Sequence, residues 1–122
     1  MISADRVTEL LGEAASRLPQ EIFHGLNLGI GVSDRAKRQH GTPGRDIYIL
    51  AEYRVSHDLG RGILVYYGSL KRVYPDLSDD GEGRGIIESL LKHELTHHLE
   101  HLAGNHDLEI DDEIRLREML RD

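Results

Sequence analysis

The segment spanning residues 86–103 limits what this 122-residue chain can fold into more than any other. With His93 set at zero on a helical projection, Ile86, Leu90, Glu94, His97 and His101 fill about the first 100°, and Ile87, Leu91, Leu95, His98, Leu99 and Leu102 continue to about 240°. Only Lys92, Ala103, Thr96, Ser89 and Glu100 remain for a polar stripe. A helix apolar over most of its circumference belongs at the centre of a fold. Two histidines and a carboxylate on such a helix are costly to bury without partners, and a metal ion would satisfy them.

The rest of the chain supplies the layers around that helix. Ser3 predicts an N-cap, after which Val7, Leu10, Leu11, Ala14, Ala15 and Leu18 recur at helical spacing until Pro19. Leu26, Leu28, Ile30 and Val32 alternate with small or polar residues and predict a first strand. Residues 33–44 read as a loop closing in Gly41-Thr42-Pro43-Gly44, residues 46–53 as a second strand, and residues 62–68 as a third. A polar stretch with Asp58 and Gly60 separates the last two, which predicts an antiparallel pair. Ser69 is a candidate cap for a short helix ending before Pro75, residues 76–85 read as loop, and a last helix is expected over residues 111–120. The expectation is a single α+β domain covering residues 1–122.

Composition removes several functions. With no cysteine, any zinc must be held by nitrogen and oxygen. A formal charge of −7 repels a phosphate backbone, so nucleic acid is not an expected partner. No stretch has the length or apolarity of a membrane span or a secretion signal, which makes a cytoplasmic protein with no membrane partner the expectation.

Five of the eight histidines, His93, His97, His98, His101 and His106, fall between residues 93 and 106. Residues four apart on a helix lie about 6 Å apart along its axis and about 40° apart around it, so His93 and His97 can aim at one point. Glu94, about 100° from His93 and about 60° from His97, is left free to act on water. Zinc with an open position lowers the pKa of a water to about 7, and a neighbouring carboxylate can then take the proton. His93 and His97 are therefore candidate ligands of one zinc ion per chain, and Glu94 the candidate general base. His101 lies about 12 Å along the axis from His93, too far to share one ion with it. His98 lies on the opposite shoulder, near Leu91 and Leu102, where a ligand role is not expected.

The run His93-Glu94-Leu95-Thr96-His97-His98-Leu99-Glu100 resembles the zincins. Together with residues 46–53, the Tyr66-Tyr67-Gly68-Ser69-Leu70 turn, and Ala103-Gly104 through Asp107-Leu108-Glu109, it looks like a compact bacterial family of zinc peptidases with a minimal matrix-metalloprotease-like domain. That resemblance implies a zincin-like fold: three or four strands in a small mixed sheet packed on a central active-site helix, with an N-terminal helix and a short C-terminal one. It also implies a peptide or protein substrate and a third zinc ligand downstream. In the related metzincin arrangement a glycine follows the second histidine by three residues and the third ligand follows the glycine by three. Glu100 and Ala103 stand there instead, and Gly104-Asn105-His106-Asp107 restores the internal spacing four residues later. Asp107 is the resulting candidate, with Glu109 and His106 in reserve, and Asp111, Asp112 or Glu113 if the last helix closes the site.

Two other functions compete with a peptidase. One is a metal-binding or interaction module that keeps the fold without turnover. The other is a metal-dependent ribonuclease with a similar histidine-bearing helix, against which the acidic balance and the presence of Glu94 both argue. Tyr53, Tyr66, Tyr67 and Tyr74 are candidates to stabilise an oxyanion.

Overall fold

The computed structural model describes residues 1–39 and 47–121. Ser3 caps helix α1 (Ala4–Ser16) as its sequence implies, its Oγ accepting the Arg6 N–H at 3.1 Å, and Val7, Leu10, Leu11 and Ala14 form the buried stripe. A 3-10 turn, Gln20–Phe23, then buries Ile22. The first strand starts later than the alternation suggests. Gly25 and Gly29 take φ values of 79° and 70°, and the Leu26 and Gly29 N–H groups bond back to Phe23 and Leu26, so residues 26–28 are a turn and β1 is Gly29–Ser33.

A two-residue strand, β2 (Lys37–Arg38), lies in the stretch expected to be loop and pairs antiparallel with β3 (Tyr48–Ile49). The expected second strand is thus divided at Leu50, its remainder being β4 (Ala51–Ser56). Its beginning at Asp46 and the Gly41 to Gly44 turn lie outside the described residues. A tight connection leads to β5 (Gly60–Tyr66); because β4 runs on to Ser56 and β5 starts at Gly60, the expected polar loop shrinks to residues 57–59. The main sheet is mixed and has the order β1-β5-β4, with β1 parallel and β4 antiparallel to the central strand.

Register decides which side of this sheet is core. Ile30 aligns with Ile63 and Val32 with Val65 across β1 and β5, while Ala51 and Tyr53 align with Val65 and Ile63 across β4 and β5. Side chains alternate along a strand, so these residues share one face, and it packs on the helices. Helix α2 (Tyr67–Val73) begins before Ser69, so that serine is not its cap. Ser69 is buried within the helix, and its Oγ accepts the Lys37 N–H at 2.8 Å.

Helix α3 (Gly81–Gly104) starts five residues ahead of its apolar repeat because Asp80 caps it, accepting the Gly83 N–H at 2.7 Å. Its buried residues include Ile87, Leu91, Leu95, Leu99 and Leu102, and it packs against α1, β4 and α4 (Ile110–Met119). The architecture is α+β, with α3 at its centre. No helix among the described residues is long and apolar enough to cross a membrane.

Candidate metal centre

His93 and His97 meet as the helical spacing implies. Their Nε2 atoms are 3.3 Å apart, with the rings edge to face at a centroid distance of 4.8 Å. Two nitrogens at about 2.0–2.1 Å from a tetrahedral zinc would be separated by about 3.3 Å, so the pair already has the spacing of two corners of such a site. The far nitrogen of His97, Nδ1, faces the Glu100 carboxylate at 3.8 Å, an ion-pair distance rather than a hydrogen bond. Ligating histidines commonly direct their second N–H to a carboxylate, which fixes the tautomer. Glu100 was not singled out in the sequence, where its signal was its position one turn beyond His97.

The expected cost of burying the two histidines does not arise. Both histidines are exposed, His97 with 48% of its side chain accessible, so no burial penalty calls for a metal there. Burial falls on Glu94 and His98 instead, which sit on the inner stripe of α3. Glu94 retains only 6% of its exposure, and burial raises its carboxyl above the ordinary range, partly opposed by His93, His97 and a hydrogen bond from the Tyr53 main chain. A buried carboxylate beside a solvent-open histidine pair is suited to exchanging a proton with a water at that pair.

His98 is fully buried, with Nδ1 2.7 Å from the Tyr53 hydroxyl and Nε2 2.7 Å from the His24 carbonyl. Both nitrogens are committed, in keeping with the expectation that it holds no metal. His101 is turned to Asn105, its Nε2 3.0 Å from Nδ2.

Asp107 is not brought to the histidine pair. Helix α3 continues through Gly104, about 10 Å along the axis beyond His97, and the chain turns only there, at His106 with φ 63°, before α4 packs back on α3. The Asp107 carboxylate instead faces the Arg61 guanidinium at 3.5 Å. Glu113 pairs with Arg117 and Asp112 with Arg115. Among the described residues, no group of three histidines and acids is placed to hold a metal.

No protein-family model and no curated protein matches the chain. Among solved structures, a conserved hypothetical protein from Thermo thermophilus superimposes with a TM-score of 0.69 at 31% sequence identity, over 84% of this chain and 99% of that one. The chain belongs to that protein's family. The likeness extends over almost the whole of the relative rather than over a local motif.

The four candidate tyrosines separate by their hydroxyl partners. Tyr53 donates to His98, Tyr66 to Glu52, and Tyr67 to the Ile2 carbonyl at 2.6 Å, so none of these three presents a free O–H. Tyr74 is 36% exposed and lines an open groove with Ile86, Ser89 and Leu90, just upstream of His93 on α3.

Proposed function

We propose that the chain is a zinc-dependent metallohydrolase of zincin-like fold that acts on peptide bonds. The 3.3 Å separation of the His93 and His97 Nε2 atoms, beside a buried Glu94, carries this reading. His93 and His97 would hold the ion through those nitrogens. Zinc, when bound, supplies a Lewis acid for the substrate carbonyl and makes a water more acidic. Glu94 would be the group that accepts a proton beside the pair and gives it to the leaving nitrogen, and a carboxyl whose pKa burial raises is suited to both roles. The outer edge of β4, the strand packed on α3, can hold an extended peptide by strand addition. Asp107 is not carried forward as a ligand, because its ion pair and the length of α3 separate it from the pair.

A second reading, a metal-binding or interaction module without turnover, is favoured by the ion pair of Asp107 with Arg61, which engages the candidate third ligand away from the histidine pair. One experiment separates the two. Purified without chelator, the protein should carry about one zinc per chain, lost in His93→Ala and in His97→Ala. Glu94→Gln should keep the zinc and lower hydrolysis of an internally quenched casein-derived peptide at least about a hundredfold. Less than about a tenth of an equivalent of zinc after loading would overturn the hydrolase and any metal-binding role, leaving an interaction module. Zinc retained with no hydrolysis by the parent protein would leave the module.

A further inference from the structure

An open groove of about 630 Å³ lies along helix α3 ahead of the histidine pair. Tyr74, at the C-terminal end of α2, lines it together with Gly85, Ile86, Ser89 and Leu90 of α3. Ile86 and Leu90 are seated against the core and still present surface to the groove. At about 100° per residue, Glu82, Ile86, Ser89, His93 and His97 fall within about 80° of one another, so the groove and the pair share one stripe of the helix.

Gly85 stands in the groove for no reason of packing. A Cβ at Gly83 would strike the Ser78 carbonyl oxygen, whereas one at Gly85 would meet nothing within 4 Å. Glycine is a poor helix former, so position 85 gains nothing for the helix either. The missing side chain leaves the groove open there.

Charge sets which ligand suits it. The groove shares Tyr74, Glu82 and Ile86 with an adjoining hollow lined by Asp76 and Asp80, and among the described residues no Lys, Arg or His lines either. Asp80 caps α3, and Glu88 faces Lys92 at 3.2 Å and Arg17 at 3.8 Å, while Asp76 and Glu82 have no ion pair among the described residues. The N-terminus of α3 contributes about half a positive charge, less than the carboxylates around it, so the field there favours a cation. Glu82 lies about 16 Å along the axis from His93 and Ile86 about 10 Å. An extended chain rises about 3.3 Å per residue, so a peptide on this stripe sets its third residue from the pair at Ile86 and its fifth at Glu82.

We propose that the groove is a specificity subsite for a basic peptide with an apolar anchor: a large apolar side chain about three residues from the bond to be cut seats against Tyr74, Ile86 and Leu90, and a Lys or Arg about five residues from it faces Glu82. The inference rests on the peptidase reading for the place of the cut bond, but occupancy of the groove is measurable without turnover.

Fluorescence anisotropy on Glu94→Gln protein in zinc buffer tests this with labelled decapeptides carrying Leu three and Lys five residues from a central Ala-Ala bond, on its N-terminal or its C-terminal side. In one orientation, exchanging Lys for Glu should weaken binding about fivefold in about 50 mM NaCl and less than about twofold in about 500 mM, and exchanging Leu for Ala should weaken it about fivefold. Adding Glu82→Lys should reverse the charge preference. Adding Gly85→Leu, which fills the groove with a better helix former, should weaken binding at least about tenfold without lowering the zinc content or the urea midpoint. A loss below about twofold on either exchange in both orientations, or Gly85→Leu protein that binds as tightly as before, overturns the proposal. So does a dimer of the parent that Gly85→Leu dissolves, because a second copy would then fill the groove. Binding with these preferences by a protein whose parent cleaves neither peptide supports the groove and overturns the peptidase reading alone. Cleavage by the parent with equal kcat/KM for the Lys and Glu peptides overturns the groove and leaves the peptidase.

Discussion

Glu94 concentrates the tension between stability and chemistry in a single side chain. Burial is the largest influence on its carboxyl and outweighs the favourable field of His93 and His97, so its folded-state pKa lies above the unfolded value. A carboxyl with a raised pKa contributes stability that is complete below the unfolded pKa, near 4.5, and lost as pH rises through the folded value. Ionising Glu94 in the folded protein therefore costs more than ionising it in the unfolded chain. Glu94→Gln removes the charge and keeps the shape, so in zinc-free buffer at pH 7 its urea midpoint should exceed that of the parent. The advantage should shrink as pH is lowered toward 4.5, where the parent carboxyl gains its proton. Equal midpoints at pH 7 would show that the carboxylate is better solvated than its burial implies.

At the scale of the element, α3 was legible in the sequence and the strands around it only partly. The apolar repeat from Ile86 gave the helix and the meeting of His93 with His97, because a helix fixes side-chain neighbours within one continuous stretch. The start at Gly81 was hidden because Gly81, Gly83 and Gly85 oppose helix in isolation, and the Asp80 cap prevails over them. The link from Tyr53 to His98 joins residues 45 apart and leaves no local pattern, so the sequence could not disclose it. Gly68, in the first turn of α2, makes a similar point about packing. A Cβ there would lie 2.6 Å from main-chain atoms of Arg35 and Ala36, and the Gly68 N–H donates to the Arg35 carbonyl at 3.0 Å. Alanine would gain up to about 1 kcal/mol of helix propensity, but displacing a backbone segment costs about 1–3 kcal/mol. Gly68→Ala should therefore destabilise the protein, and a urea midpoint at or above that of the parent would show that the crossing chain yields easily.

For the molecule as a whole, His98 joins parts that lie far apart in the sequence: α3 through its own backbone, β4 through Tyr53, and the segment after the 3-10 turn through the His24 carbonyl. Burial is the main cause that holds its pKa below the ordinary histidine value of 6.5, and nearby Arg61 adds to it, while the His24 carbonyl acts the other way. The folded state therefore keeps His98 neutral at pH values where the unfolded chain takes up a proton. For a base with a depressed pKa, stability is complete above the unfolded value and is lost as pH falls below it, until the folded imidazole is itself protonated. The loss should begin near pH 6.5, above the range in which carboxylate ion pairs such as Arg6 with Asp79 are titrated away. Urea midpoints of the zinc-free protein should accordingly fall between about pH 7 and pH 5, less steeply in His98→Gln than in the parent. The imidazole carbon signals of His98 should keep their neutral-form shifts below pH 6 while the protein stays folded. Signals that move to the protonated position near pH 6.5 would mean that His98 is open to solvent, and the three segments it joins would then have to be held together by their apolar contacts alone.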